Sequence, residues 1–184
     1  DEVGRGSWAG PLVAAAIILP HDFSLKATPL RDSKLLSPQK RQTLYTSLIS
    51  SCIAYAISII PPTYIDSYGV AAANISAILS AIKNLSQKPD YALIDNLLLK
   101  EPLALSTPHS LMRDGDSAVA SIAAASIIAK VTRDALMRDL GKQYPLYGFA
   151  DHKGYGTGKH HLALMRYGPS PIHRRSFAPI KSLL

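Results

Sequence analysis

The sequence predicts an α/β fold, in which a layered β-sheet carries helices on its faces. Short apolar runs rich in β-branched residues alternate with segments whose apolar residues recur at helical spacing, which is the pattern of an α/β domain. The chain has 184 residues and 47% apolar content, enough for a sizeable core. It contains neither an internal repeat nor a low-complexity linker. We therefore predict a single domain, with a core of about residues 1–140 and a helical C-terminal portion over 141–184.

Four strands are predicted from local apolar runs. The longest run is continuous and β-branched, as in a buried strand. The second ends at Pro61-Pro62, because proline cannot continue a strand, and the third delivers Asp95 at its end. The predicted strands are Pro11–Leu19, Ile53–Ile60, Tyr91–Ile94 and a short one at Leu111-Met112.

The helices are predicted from capping residues and apolar spacing. Ser37-Pro38 has the form of an N-cap followed by proline in the first turn, which begins a helix ending near Ser51. Apolar residues at helical spacing between Ile75 and Ile82 predict an amphipathic helix that ends near Ser86. The longest predicted helix runs from Ser117 to about Leu140, and a short one spans about His161 to Arg166.

Charge and cysteine content restrict the partner and the compartment. The net charge is +7 and the isoelectric point is near 9.5, which favours a polyanionic partner, because lysine and arginine displace counterions from phosphates. Cys52 is the single cysteine, so we expect no disulfide framework and a reducing, cytoplasmic location. No run of about 18 uncharged apolar residues occurs, so we predict no membrane span. We also expect a monomer.

Four acidic residues, Asp1, Glu2, Asp95 and Asp116, are candidates for a metal site. Functional groups gather at strand ends in α/β sheets, and Mg²⁺ prefers carboxylate oxygens. Clustered carboxylates repel one another, and a bound cation removes that penalty. For Asp95 or Asp116 alone, a simple turn residue is the preferred interpretation; the combination favours metal.

The neighbouring positions of Asp1 and Glu2 pose a geometric problem. Successive strand residues point to opposite faces of a sheet, so the two cannot both face one site from a regular strand. Either Glu2 reaches the site from the end of the strand, or the pair lies where the strand breaks toward Gly4.

Blocks of residues in a fixed order carry a family resemblance. The first are Asp1-Glu2-Val3-Gly4-Arg5-Gly6, Ala9-Gly10-Pro11 and Asp32-Ser33-Lys34-x-Leu36-Ser37. Then come Leu93-Ile94-Asp95, Gly115-Asp116-Ser117 and the block from Ala124 to Asp134. The last are Tyr147-Gly148-Phe149, His152-Lys153-Gly154-Tyr155-x-Thr157 and His173-Arg174-Arg175-Ser176-Phe177. Over essentially the whole chain, the sequence resembles ribonuclease HII.

The resemblance implies a ribonuclease H-like fold, with a mixed central β-sheet flanked by helices and a helical C-terminal portion that contacts substrate. It implies endonucleolytic hydrolysis of RNA in RNA–DNA hybrids. It also implies incision on the 5′ side of a ribonucleotide embedded in duplex DNA, as in ribonucleotide excision repair. The products would carry 5′-phosphate and 3′-hydroxyl ends, and the cofactor would be Mg²⁺ or Mn²⁺ in a two-metal site.

The resemblance also assigns roles to residues. The metal-binding and catalytic acids would be Asp1, Glu2, Asp95 and Asp116. Gly4, Arg5 and Gly6 would contact the 2′-hydroxyl, the group that distinguishes RNA from DNA, and Tyr155 would stack on the neighbouring deoxyribose. Ser33 and Lys34 would contact phosphate. Apart from the resemblance, Arg174 and Arg175 form a short basic run, for which nucleic-acid contact by Arg174 and a solvated face are both open.

The chain departs from the family pattern at four places. Asp114 replaces a basic residue and adds a fifth acid, Asn96 replaces a glycine, and Gly156 replaces a proline, which would loosen the segment after Tyr155. The family also has a strand leading into the Asp–Glu pair, so we expect the native chain to begin before Asp1.

Two alternatives to a ribonuclease HII remain. One is a ribonuclease HIII-type enzyme with a further N-terminal domain, against which Arg5 argues, since that family tends to carry lysine there. The other is a non-catalytic binder of RNA–DNA hybrids, which would have no use for four clustered acids.

Several other residues have simpler interpretations. His152, His160 and His161 lack zinc-site spacing, so structural or surface roles are preferred. We expect Trp8 to pack over its loop, Asp134 to form a local ion pair or face solvent, and Ser126 to pack in the core.

Overall fold

The computed structural model describes residues 1–23, 36–95 and 103–184, and Ser33, Lys34 and Asn96 lie outside these ranges. The strands are β1 (Glu2–Val3), β2 (Leu12–Ile18), β3 (Ala54–Ile60), β4 (Ala92–Asp95) and β5 (His109–Met112). The helices are α1 (Pro38–Ser51), α2 (Pro62–Lys83), α3 (Gly115–Ala118), α4 (Ala120–Gln143), α5 (Phe149–His152), α6 (Gly158–Tyr167) and α7 (Ala178–Lys181), with a 3₁₀ turn at Pro145–Tyr147.

The strands pair in both antiparallel and parallel directions. β2 lies between β1 and β3 and is antiparallel to both, with Glu2 opposite Ala14 and Leu12 opposite Ile60. β4 and β5 are parallel, with Asp95 opposite Met112. The mixed α/β prediction is therefore confirmed, although the described strands form two hydrogen-bonded sheets and not one.

Strand β2 is the centre of the core because both of its faces are covered. Leu12 and Ala14 belong to an apolar cluster with residues of α2. Val13 and Ala15, which point the other way, belong to a cluster with residues of α4. A strand buried on both faces has a continuous apolar sequence, whereas β3 alternates buried and exposed residues because one face meets solvent.

The helix predictions are right in position and differ in their limits. The Ser37 hydroxyl caps α1 by accepting the Lys40 N–H at 3.3 Å, as the sequence predicts. The predicted helix from Ser117 is two helices, because Val119 has extended backbone angles between α3 and α4. The predicted short helix near His161 begins earlier, at Gly158, where Thr157 caps it.

Helix α2 begins at Pro62, well before the apolar spacing that predicts it, and it is kinked at Gly69, whose φ is +82°. Among the described helices it alone has the length and composition of a membrane span. Its buried residues lie on one side, against β2 and β3, as in an amphipathic core helix. The buried members are Ile65, Ala73, Asn74, Ala77, Ile78, Ala81 and Ile82.

The loop after β1 joins the sheet to the C-terminal portion. The Trp8 N–H donates to the Gly154 carbonyl at 2.8 Å, and the Arg174 N–H donates to the Trp8 carbonyl at 2.8 Å. The Gly10 N–H donates to the Ile172 carbonyl at 2.9 Å. Backbone hydrogen bonds to the C-terminal portion thus hold the loop that carries the Gly-Arg-Gly turn.

Candidate active site

The four predicted acids lie at different elements and line one cavity. Asp1 precedes β1, Glu2 begins it, Asp95 ends β4 and Asp116 lies in α3. The cavity has a volume of about 550 Å³. Its described lining is Asp1, Glu2, Val3, Arg41, Asp95, Asp116, Ser126, Lys130 and Tyr155.

Asp1 and Glu2 both line the cavity. Asp1 continues the pairing of β1 with β2, because its carbonyl accepts the Ala15 N–H at 2.9 Å and its own nitrogen lies 3.1 Å from the Ala15 carbonyl. The Asp1 carboxylate accepts the neighbouring Glu2 N–H at 2.6 Å, and Glu2 is one residue from the end of β1 at Val3. Glu2 therefore reaches the cavity from the end of a short strand, which is the first of the two arrangements that the sequence allows.

A hydrogen bond between Asp95 and Gly115 connects the end of β4 to the start of α3. The Asp95 carboxylate accepts the Gly115 N–H at 2.7 Å. A β-carbon at Gly115 would lie 2.5 Å from Ile122 Cδ1 and 3.1 Å from the same Asp95 oxygen. A glycine is therefore needed where Asp116 enters the site.

Asp114, the fifth acid, has a different position. Its backbone is left-handed, with φ +52°, and its carbonyl accepts from the Ser117 N–H at 3.1 Å and the Ser117 hydroxyl at 2.8 Å. It is exposed, and it is not among the described residues that line the cavity. Its place is at the start of α3.

The electrostatics and donor chemistry of the cavity suit a hard cation. Burial raises the pKa of the Glu2 carboxyl, Arg5 opposes that shift, and Asp95 adds to it. The acids offer oxygen donors, which Mg²⁺ and Mn²⁺ prefer. Within the described ranges, no group of three or more acidic, histidine or cysteine side chains is placed to hold a metal ion. Mg²⁺ can bind through one or two carboxylates, because it keeps several waters and accepts substrate phosphate.

Arg5 lies beside the cavity. Its Nη1 is 3.4 Å from a Glu2 carboxylate oxygen, and its side chain is 47% exposed, so it remains accessible to a ligand. The Gly-Arg-Gly turn packs against Arg133, a residue whose role the sequence did not predict. Arg133 is fully buried and donates to the Pro11 carbonyl at 2.8 Å, the Ser7 hydroxyl at 2.7 Å and the Lys153 carbonyl at 3.0 Å.

A signal for Arg133 was present in the sequence. Ala125, Ala129 and Met137 share one face of α4 at spacings of four and eight residues, and all are buried. Arg133 occupies the remaining position of that stripe. A charged residue in a buried stripe requires several hydrogen-bond partners, which here are loop carbonyls.

The prediction for Arg174 is corrected. The side chain is fully buried, and its guanidinium donates twice to the Gly10 carbonyl, at 3.1 and 3.0 Å, and once to the Arg5 carbonyl at 2.9 Å. Burial, and then the neighbouring Arg133, lower the pKa of Arg174 to about 9. Arg174 is neither a solvated basic residue nor a direct substrate contact, because backbone carbonyls occupy its guanidinium.

Tyr155 lines the cavity, half-buried, with the Arg133 guanidinium 5.4 Å from its ring centroid. The next residue is Gly156, for which the sequence predicts a looser segment. A β-carbon there would lie 2.2 Å from Trp8 Cζ2, so the indole packs directly on the glycine. The Trp8 ring also lies 5.3 Å from that of His160, so the indole packs against the C-terminal portion, whereas the prediction placed it over its own loop.

Two residues of α4 also line the cavity. Lys130 Nζ lies 2.8 Å from an Asp134 carboxylate oxygen, which confirms the predicted local pairing of Asp134. Ser126, one turn before Lys130, is half-buried and lines the cavity, so the prediction of core packing for it is wrong. The structural role predicted for His160 is confirmed by its complete burial.

The chain was compared with known proteins. The family model for ribonuclease HII matches residues 1–180. A curated ribonuclease HII from Bacillus licheniformis is 49% identical over 182 residues, and one from Acidothermus cellulolyticus is 46% identical over 181. These alignments cover 99% and 98% of this chain, which spans 69% and 58% of the respective relatives.

Solved structures show the same fold. The ribonuclease H2 from Pyrococcus horikoshii OT3 matches with a TM-score of 0.85 at 27% identity, over 100% of this chain and 94% of that one. A ribonuclease HIII named Bst-RNase HIII, solved in complex with Mn²⁺, matches with a TM-score of 0.72 at 19% identity, over 100% and 67%. The second likeness concerns the fold alone.

The fold is that of an α/β protein of the ribonuclease H class. The choice between ribonuclease HII and ribonuclease HIII follows from the family match over nearly the whole chain and from the curated relatives. The chain belongs to the ribonuclease HII family, and the ribonuclease HIII alternative is not supported.

Proposed function

We propose that this protein hydrolyses the RNA strand of RNA–DNA hybrids and incises duplex DNA on the 5′ side of an embedded ribonucleotide, leaving 5′-phosphate and 3′-hydroxyl ends. One observation carries the proposal: Asp1, Glu2, Asp95, Asp116 and Tyr155 line the same cavity. The carboxylates that would bind metal therefore lie in the same cavity as the tyrosine ring that would contact the sugar. Such an activity would serve the removal of ribonucleotides from DNA in the cytoplasm.

The four acids would hold Mg²⁺ or Mn²⁺, for which their oxygen donors are suited. When bound, two such ions would supply an activated water and stabilise the leaving oxygen of the cleaved phosphodiester. The Asp95–Gly115 bond keeps one of these carboxylates in place.

The protein itself would bind and orient the substrate. Arg5 and the backbone of its turn would contact the 2′-hydroxyl, the group that separates RNA from DNA. The Tyr155 ring would stack on the adjacent deoxyribose. The net charge of +7 favours binding to a polyanion, and phosphate contacts by Ser33 and Lys34 remain part of the proposal.

The test is an incision assay on duplex DNA that contains one ribonucleotide, with Mg²⁺ or Mn²⁺ present. We expect a nick on the 5′ side of the ribonucleotide, which a chelator or Asp116→Asn abolishes. Asp114→Asn is the matched control, because Asp114 is two residues away and is not among the described cavity-lining residues. It should retain activity. Absence of cleavage by the unaltered protein would refute the enzymatic proposal.

A further inference from the structure

His152, His160 and His173 pack together next to Tyr155, and none of them is among the described residues that line the cavity. His160 and His173 are 0% and 1% exposed, and their Nε2 atoms lie 3.0 Å apart. The His152 ring stacks on that of His160, with centroids 4.5 Å apart. His160 Nδ1 lies 2.9 Å from the Tyr155 carbonyl oxygen. The cluster therefore contacts the backbone of a cavity residue directly.

The hydrogen bonds of this cluster determine which ring nitrogens carry protons. The Ser170 backbone N–H, which can only donate, points at His173 Nδ1 at 2.9 Å, so this nitrogen accepts, and the Ser170 hydroxyl 2.8 Å from the same nitrogen then acts as a second donor. Neutral His173 must then carry its proton on Nε2 and donate it to His160 Nε2. Neutral His160 consequently carries its proton on Nδ1 and donates it to the Tyr155 carbonyl.

The same logic applies to His152. The Gly154 N–H donates to His152 Nδ1 at 3.2 Å, so His152 Nε2 carries the proton and donates to the Tyr147 carbonyl at 2.7 Å. The Tyr155 N–H donates to the His152 carbonyl at 3.0 Å. The turn from His152 to Tyr155 is therefore held by hydrogen bonds of the His152 and His160 side chains.

We propose that His160 and His173 are positioning residues for Tyr155, acting through a hydrogen-bond chain that runs in one direction from the Ser170 N–H to the Tyr155 carbonyl. The inference rests on the proposed function, in which the Tyr155 ring meets the sugar beside the ribonucleotide. Neither histidine touches substrate. Their effect is to fix the backbone from which the tyrosine ring enters the cavity, and orientation of this kind is a large contributor to catalysis.

The surroundings keep the chain neutral. Burial lowers the pKa of His160 and of His173 to about 4; His152 lowers the pKa of both further and His160 lowers that of His173, whereas backbone hydrogen bonds at Tyr155 and Ser170 oppose these shifts. Aromatic rings pack on the pair: Trp8 and Phe149 on His160, and Tyr147 and Phe149 on His173. A proton added to His160 Nε2 would face the Nε2–H of His173 across the 3.0 Å contact, and a proton added to His173 Nδ1 would face the Ser170 N–H.

The first test is nitrogen-15 NMR of the imidazole rings in the unaltered protein near neutral pH. We expect His160 protonated at Nδ1 and His173 at Nε2. Any other tautomer of His160, or a charged imidazole in either residue, overturns the chain. Because this measurement uses no substrate, it is independent of whether the protein incises nucleic acid.

The second test uses two variants that distinguish the role of Nδ1 of His160 from that of Nε2. In His160→Asn the amide nitrogen can take the place of Nδ1 and keep the donor to Tyr155, whereas in His160→Gln the longer amide can reach only His173. We expect His160→Gln to lower the rate of incision at a single ribonucleotide by about tenfold. His160→Asn should retain most of the incision rate of the unaltered protein.

A double-mutant cycle with Tyr155→Ala distinguishes positioning from general destabilisation. If His160 acts through the tyrosine, His160→Gln adds little to the loss caused by Tyr155→Ala. Additive losses, or equal losses in the Gln and Asn variants, overturn the inference while leaving the proposed function intact. If His160→Gln does not fold, the tautomers of the unaltered protein decide the matter.

Discussion

A β-carbon at Gly4 would lie 2.2 Å from Nε of Arg133, so the Gly-Arg-Gly turn rests directly on a buried guanidinium. Gly4 also has a φ of +95°, which side chains other than glycine rarely adopt. The turn that is expected to meet the 2′-hydroxyl is thus shaped by a residue of α4.

Gly4→Ala should lower the free energy of unfolding by about 2 kcal/mol, from the strained φ and the contact with Arg133. Gly6→Ala is the control in the same turn, because no described heavy atom lies within 4 Å of its added β-carbon. Urea unfolding measures both. Equal effects of the two substitutions would contradict the assigned role of Gly4.

Arg174→Lys should destabilise the protein by about 1–3 kcal/mol, because lysine cannot reproduce the planar set of donors to Gly10 and Arg5. The adjacent Arg175 is exposed, and its contact with Asp66 uses the backbone N–H. Arg175→Lys should therefore change stability by less than about 0.5 kcal/mol. Thermal unfolding compares the two, and a larger effect at Arg175 would refute the assignment.

Stability should fall as the solution is acidified below the ordinary histidine pKa of 6.5. The pKa values of folded His160 and His173 are about 4, so below pH 6.5 the unfolded chain binds more protons than the folded one. The loss develops between pH 6.5 and 4 and levels off below that, and it is on the order of 3 kcal/mol for one such group.

Urea unfolding at several pH values measures this dependence. His173→Gln should reduce its steepness, whereas His161→Gln, at an exposed position, should leave it unchanged. A dependence that persists fully in His173→Gln would show that other groups cause it.

Asp95→Asn should preserve the fold and remove the response to metal. An asparagine oxygen can still accept the Gly115 N–H, so stability without metal should stay within about 0.5 kcal/mol of the original. Binding of a ligand to the native state raises the melting temperature. We expect Mg²⁺ to raise it in the unaltered protein and much less in the variant, and the same rise in both would argue against Asp95 as a ligand.

Tyr155→Ala should lower incision at a single ribonucleotide by about tenfold, because the ring no longer orients the sugar. The rise in melting temperature caused by Mg²⁺ should remain, since the four acids are unchanged. Parallel loss of incision and of the metal response would contradict a stacking role.

Sequence by itself determined those features that depend on neighbouring residues or on side-chain chemistry. The α/β class, the Ser37 cap, the buried strand β2 and the candidate acids follow from apolar periods, capping rules and the preference of hard cations for carboxylates. The family resemblance supplied Tyr155, which the structure places beside those acids.

Only the tertiary structure decided how these parts are supported. Arg174 binds the carbonyl of Gly10, 164 positions away, and Arg133 binds that of Pro11, 122 positions away. No local pattern encodes the partner of such a contact. The apolar stripe of α4 indicates that Arg133 is buried but not that it supports the turn, and the basic run at Arg174 indicates neither. The His160–His173 contact could not be predicted for the same reason. The two ring nitrogens meet only when α6 and the following loop have packed against the core.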